Sequence, residues 1–82
     1  MYDKKVLDCF LENQLKLFPE EVASNVQEAQ EFLDECFAVV VKGKKEVIEY
    51  FEEEGIDYSK DDILNADEVF DVGDGRYLIV EG

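Results

Sequence analysis

The chain has no histidine, one proline, two cysteines and only eight lysines and arginines among its 82 residues. Without histidine, no Cys–His nucleophile pair can form within one subunit, and two cysteines fall short of a tetrahedral zinc site. No apolar run is long enough for a signal peptide or a membrane span. We therefore expect a cytoplasmic protein that makes no membrane contact and carries no cofactor, and the sequence identifies no catalytic residue.

Acidic residues dominate what is present. Twenty-two aspartates and glutamates give a formal net charge of −14. Such a field repels nucleic acid and anionic lipid and attracts basic surfaces and cations, so we expect no direct nucleic-acid binding. Because 46% of the residues are hydrophobic, the chain is not a disordered acidic tail, and its length fits one domain over residues 1–82. Cys9 and Cys36 form no Cys-x-x-Cys motif, and we interpret them as reduced, buried small hydrophobes.

Apolar periodicity predicts two N-terminal helices followed by a strand. The first helix covers residues 3–17 and is ended by Pro19, because the residue before a proline disfavours helix. Ser24 or Asn25 caps the second helix, with Gln27 or Glu28 completing a capping box. The continuously apolar run Phe37–Val41 predicts a strand that is buried on both faces.

The C-terminal half predicts a helix, a short helical turn and a hairpin. The helix covers Lys44–Glu54 and ends at Gly55, and the turn covers Asp61–Ala66 with Ser59 as its cap. Residues 68–81 predict a hairpin, with apolar runs on either side of the turn Gly73-Asp74-Gly75. With Asp74-Gly75 as a two-residue loop, Val72 pairs with Tyr77 and Phe70 pairs with Ile79. The predicted fold is α+β, with a small three-stranded sheet. Both sheet faces are partly apolar, so a homodimer is expected if the helices cover only one of them.

The predicted third helix carries charges that oppose its own dipole, with lysines at its start and glutamates at its end. We interpret its end and the segment that follows as an acidic docking surface for a basic protein, although a merely solvated acidic face is the simpler alternative. The residues of this surface are Glu52, Glu53, Glu54, Asp57, Asp61 and Asp62.

Residues 57–68 half-match a calcium loop. Oxygen ligands fall at loop positions 1, 3, 5, 9 and 12, and the last could be bidentate. Two departures count against a calcium site, since Asp62 replaces the glycine at position 6 and the following segment predicts a strand. The candidate metal ligands are Asp57, Ser59, Asp61, Asn65 and Glu68.

The segments Ala38–Val41, Glu46-Val47, Tyr50-Phe51, Glu68–Phe70 and Asp74–Glu81 resemble a group of short acidic bacterial proteins of unknown function, some of which are called glyoxalases. The glyoxalase family builds its site from paired βαβββ modules that hold a metal with histidine and glutamate. Residues 37–81 resemble most of one module. The resemblance implies a metal-dependent protein whose second module would come from a dimer, although every histidine is missing.

Four functions follow as hypotheses. The first is a non-catalytic regulatory or interaction protein that docks a basic partner, and a special form of it is a DNA mimic whose carboxylates imitate phosphates. The others are a glyoxalase-like metal-dependent dimer and a structural homodimer without a ligand. The acidic surface could also serve solubility alone.

Overall fold

A computed structural model describes residues 2–81 and confirms the α+β fold. Its helices are α1 (Lys4–Asn13), α2 (Val26–Glu35) and α3 (Gly43–Glu53), and short 3₁₀ turns cover Gln14–Lys16 and Ile63–Asn65. The strands β1 (Val39–Lys42), β2 (Val69–Asp71) and β3 (Arg76–Ile79) form one antiparallel sheet in the order β1-β3-β2. No described helix has both the length and the apolar character needed to cross a membrane.

Side-chain caps fix where α1 and α2 begin. The Asp3 carboxylate accepts from the Val6 N–H (3.0 Å), and the Asn25 side chain accepts from the Glu28 N–H (2.9 Å). The Glu28 carboxylate in turn accepts from the backbone N–H and the hydroxyl of Ser24, the residue before the N-cap, so it does not form the predicted capping box with Asn25 itself. These bonds satisfy backbone donors that a helix start leaves free. Asn25 is thus the N-cap of α2.

The predicted strand start at Phe37 is wrong. Phe37 lies at φ +55°, and the N–H groups of Phe37 and Ala38 donate back to the carbonyls of Asp34 (3.3 Å) and Leu33 (3.1 Å). This is the Schellman ending of a helix, in which glycine usually occupies the left-handed position. The Phe37 side chain is consequently 84% exposed, whereas the prediction buried it on both faces.

The hairpin register differs from the prediction by one residue. Phe70 pairs with Leu78 and Val69 with Ile79, and the Val72 N–H donates to the Arg76 carbonyl (3.1 Å). The loop is therefore the three residues 73–75, in which both glycines have positive φ. Because a one-residue slip moves side chains to the opposite face, Phe70 and Ile79 lie on opposite sides of the sheet.

Helices cover both faces of the sheet. On one face, Phe10 of α1 and Leu33 of α2 join Phe70 and Leu78 of the sheet in one apolar cluster. On the other face, α3 and the 3₁₀ turn Ile63–Asn65 form a second cluster with the sheet. Its buried residues are Val47, Phe51, Ile63, Val69 and Ile79. The uncovered face that would call for a homodimer is not found in the described part of the chain.

The outward backbone of the two edge strands is bonded within the chain to different extents, and the β2 edge is the more fully bonded. In β1 the alternation set by the bond from the Gly43 N–H to the Gly75 carbonyl turns Val40 and Lys42 outward. The Lys42 N–H donates to the Glu46 carboxylate (2.8 Å). The same alternation turns Val69 and Asp71 outward in β2.

On the β2 edge, two side chains from the α1 region close the outward carbonyls. The Val69 carbonyl accepts from the Lys16 ammonium, and the Asp71 carbonyl accepts from the Cys9 thiol (3.3 Å). The Val69 N–H donates to the Ala66 carbonyl (3.0 Å). Three of the four outward backbone groups of Val69 and Asp71 are thereby bonded to other parts of the same chain.

The predicted Ser59 cap is also wrong. The Ser59 backbone carbonyl, rather than its hydroxyl, accepts from the Asp62 N–H (3.1 Å), and Asp62 precedes the 3₁₀ turn without a side-chain cap bond.

One buried polar residue, Gln14, ties the loop between α1 and α2. Its side-chain oxygen accepts from the N–H groups of Val22 (2.7 Å) and Ala23 (3.0 Å). Its amide nitrogen donates to the carbonyls of Leu11 (3.2 Å) and Ala23 (2.9 Å). Gln14 is only 3% exposed, so it supplies partners to backbone groups that water does not reach.

Candidate functional site at the acidic end of the sheet

Two helix C-termini meet one end of the sheet, the end where β1 begins and β3 finishes. Helix α2 reaches this end through Phe37, which leads directly into β1. The last turns of α3 lie at the same end of the sheet, where the Tyr50 hydroxyl donates to the carboxylate of Glu81, just beyond β3 (2.7 Å). Each helix C-terminus carries a partial negative charge. We call this region, with residues 52–68 and Glu81, the acidic end.

Carboxylates concentrate at the acidic end. Residues 52–68 hold eight of the 22 carboxylates and only one basic residue, Lys60, so this segment carries half of the formal net charge of −14. The ion pairs found over residues 2–81 involve Asp3, Asp8 and Asp74, and none involves a carboxylate of this segment. The negative charge of the acidic end is therefore not neutralised by the protein's own cations.

The opposite end of the sheet, at the hairpin loop, holds most of the cations. Six of the eight basic residues lie in the first turns of α1 and α3 or at the adjoining strand ends; they are Lys4, Lys5, Lys42, Lys44, Lys45 and Arg76. Arg76 donates to Asp3 (2.7 Å) and to Asp74 (2.8 Å). Hydrogen bonds from Arg76 lower the pKa of Asp74 to about 2 and also lower the pKa of Asp3. The protein is thus electrostatically polar along the strand direction.

A pocket of about 330 Å³ opens between the end of α3 and the segment that leads to β2. Its apolar lining consists of Phe51, Ile56, Tyr58, Ile63 and Ala66. Its polar lining consists of Asp57, Ser59, Asp62, Asn65 and Glu68. The pocket therefore combines an apolar floor with three carboxylates and lies within the most acidic segment.

Two tyrosines at the acidic end donate to carboxylates. The Tyr58 hydroxyl bonds to Glu52 (2.9 Å), and this bond raises the pKa of Tyr58. Burial, followed by the bond to Glu81, raises the pKa of Tyr50. Both phenols therefore remain neutral donors at physiological pH, and they orient two of the carboxylates.

The structure brings four of the five candidate metal ligands to one pocket. Asp57, Ser59, Asn65 and Glu68 line it, whereas Asp61 does not. Over residues 2–81, no three Asp, Glu, Cys or His side chains lie close enough together to hold a metal ion. The shared pocket therefore places oxygen atoms around one space without the tight carboxylate cluster that a calcium loop has, and the calcium site stays a prediction.

All six residues of the predicted docking surface are exposed. Asp57 and Asp62 line the pocket together with Phe51 of α3, and Glu52 is joined to the pocket through Tyr58. The sequence indicated these residues by charge alone. It missed Glu68 as part of the same surface and the apolar pocket itself, because both depend on the packing of α3 against the 3₁₀ turn.

The cysteines have environments that disfavour nucleophilic chemistry. Cys9 is 7% exposed, and its burial raises the pKa of the thiol. Cys36 is half-buried, and partial burial raises its pKa as well. Reactive cysteines have a lowered pKa, so neither fits a nucleophile; Cys9 is buried as predicted, whereas Cys36 is only half-buried.

Searches of protein-family models, of curated proteins and of solved structures found no match to this chain. The resemblance to short acidic proteins called glyoxalases therefore stays a prediction. The β1–α3–β2–β3 part of the fold has three strands, where a βαβββ module has four.

Proposed function

We propose that this protein is a small interaction protein that docks a basic partner protein through its acidic end. The observation that carries the proposal is the segregation of charge: seven net negative charges lie in residues 52–68, while six of the eight cations lie at the other end of the sheet. A surface that served only solubility would have no need of this separation.

Charge separation of this kind favours oriented encounter. The field at the acidic end attracts a basic surface, and the cations at the far end disfavour docking in the reverse orientation. Because the carboxylates of residues 52–68 are free of internal ion pairs, a partner's lysines and arginines do not have to displace cations of this chain. Association is therefore expected to be fast and to weaken steeply with salt.

The segregation favours a protein partner of the first hypothesis over the alternatives. A DNA mimic, a glyoxalase-like dimer and a structural homodimer stay predictions from the sequence, since no contact in the described residues selects one of them.

The test is capture of partners from the native lysate at low salt, followed by elution with a salt gradient. The docking variant is Glu53→Gln/Glu54→Gln/Asp61→Asn. The matched control, Glu20→Gln/Glu21→Gln/Glu31→Gln, removes the same charge from exposed positions outside residues 52–68. We expect a stoichiometric basic protein that elutes at one salt concentration, that the control retains and that the docking variant loses. Equal retention by both variants, or binding that ignores ionic strength, would contradict the proposal.

A further inference from the structure

The pocket at the acidic end has the composition of a site for a long basic side chain. Phe51 and Ile63 are buried beneath it, Ile56 is half-buried beside it, and carboxylates of Asp57 and Asp62 stand exposed at its rim. Apolar surface suits the methylene stem of lysine or arginine, while the rim suits the charged head. At about 330 Å³ the pocket lies at the small end of the range of ligand sites, which fits one side chain rather than a peptide segment.

We propose that this pocket receives an arginine side chain of the basic partner, an inference that rests on the proposed function. The aromatic wall favours arginine over lysine. The Tyr58 ring is held by its bond to Glu52 and packs edge-on against Phe51, with centroids 6.1 Å apart. A planar guanidinium stacks on such a ring and is more weakly hydrated than an ammonium group, so it loses less on entering a partly apolar site.

Glu68 is the carboxylate that meets the guanidinium inside the pocket. It is half-buried, whereas Asp57 and Asp62 are exposed, and it lies in no ion pair within residues 2–81. Its backbone is fixed, because its carbonyl accepts from the Val80 N–H (2.9 Å). A carboxylate and a guanidinium form two parallel hydrogen bonds, a geometry that lysine cannot reproduce.

The first experiment titrates three capped amino acids into the ¹⁵N-labelled protein at low salt. The probes are the Nα-acetyl methylamides of arginine, lysine and norleucine; the caps remove the carboxylate that the acidic end would repel in free arginine. We expect the arginine probe to shift the amide signals of residues 57–59 and 62. The lysine probe should bind about fivefold more weakly, and norleucine should cause no shift under the same conditions. Equal binding of arginine and lysine, with shifts spread over all acidic residues, would overturn the proposal.

Two variants separate the pocket from the general charge. Glu68→Gln should weaken the arginine probe about fivefold, while the exposed control Glu31→Gln should leave its affinity unchanged. Ser59→Phe fills the pocket mouth without altering any charge and should abolish the shifts at residues 57–59 and 62. If Ser59→Phe instead bound the probe like the wild type, the pocket would not be the site.

The same variant distinguishes failure of this proposal from failure of the proposed function. If Ser59→Phe retained the lysate partner and Glu53→Gln/Glu54→Gln/Asp61→Asn lost it, docking through the acidic end would stand and the arginine pocket would fall. If both variants retained the partner, both proposals would fall. Loss of the partner in both variants would support the pocket.

Discussion

Replacement of Phe37 by glycine should preserve or raise stability, although loss of a phenylalanine normally costs several kcal/mol. A left-handed backbone costs a residue other than glycine about 1–2 kcal/mol, and Phe37 lies at φ +55°. Its ring is 84% exposed, so its removal forfeits only about 0.4 kcal/mol of the roughly 1.5–3 kcal/mol available from full burial. Against this gain, glycine lowers stability by about 0.4–1 kcal/mol because it makes the unfolded chain more flexible.

The comparison with alanine isolates the backbone contribution. Phe37→Ala removes the ring and keeps the strain, so it should be slightly less stable than wild type. Phe37→Gly should exceed Phe37→Ala by about 1 kcal/mol and be at least as stable as wild type. Phe32→Ala is the matched aromatic control; because Phe32 stacks on Phe10, with ring centroids 5.7 Å apart, it should cost about 2–4 kcal/mol.

Urea unfolding followed by far-ultraviolet circular dichroism measures all four proteins. The reasoning would be refuted if Phe37→Gly were less stable than Phe37→Ala, because the left-handed strain would then be absent. A loss above about 2 kcal/mol in both variants would equally contradict the exposed position of the ring.

Two further predictions concern stability. Gln14→Ala should cost about 3 kcal/mol, because it leaves the buried N–H and carbonyl of Ala23 without partners; the exposed control Gln27→Ala should change stability by less than about 0.5 kcal/mol in the same urea assay. The Tm measured by calorimetry should rise from pH 7 to about pH 4.5 as protonation relieves carboxylate repulsion, and added salt at pH 7 should raise it too. The Tm should then fall between about pH 4 and pH 2. The pKa of Asp74 is about 2 in the folded protein, below its unfolded value, so ionised Asp74 stabilises the fold at pH values above that unfolded pKa. Protonation of Asp74 as the pH falls removes this contribution. A Tm that is flat with salt, or that declines steadily from pH 7, would contradict the repulsion argument.

A third prediction concerns the thiols. Cys36 should react with a maleimide faster than Cys9, because Cys9 is buried and donates to the Asp71 carbonyl. Labelling followed by peptide mass spectrometry gives the two rates, and faster reaction at Cys9 would contradict the described burial.

Local patterns predicted the elements but not the backbone conformation at the end of α2 and in the hairpin loop. The spacing of apolar residues and Gly55 located the helices, because these signals act within a few residues. The apolar run at Phe37 predicted strand because the glycine that usually marks a left-handed helix end is absent there, although the N–H groups of Phe37 and Ala38 return to α2. The Asp-Gly pair predicted a two-residue loop, whereas the structure has a three-residue loop with two left-handed glycines.

The candidate site was predictable by charge and not by shape. A run of carboxylates is visible in the sequence, which is why Glu52–Glu54 and Asp57 were placed on one surface. The pocket, by contrast, exists because Phe51 of α3 meets Ile63 and Ala66 across ten or more intervening residues. Gln14 was missed for the same reason, since its partners Val22 and Ala23 lie in the loop beyond the 3₁₀ turn that contains it.

The bonded β2 edge of the sheet limits how this chain can meet other molecules. With the Val69 N–H and the carbonyls of Val69 and Asp71 bonded inside the chain, an incoming strand finds few free backbone groups with which to extend the sheet at β2. Recognition at this edge must then depend on side chains, which can exchange partners without breaking any part of the fold. The same bonding matters in mild acid: when the protein's charges no longer keep copies apart, the β2 edge still offers a poor template for fibril growth.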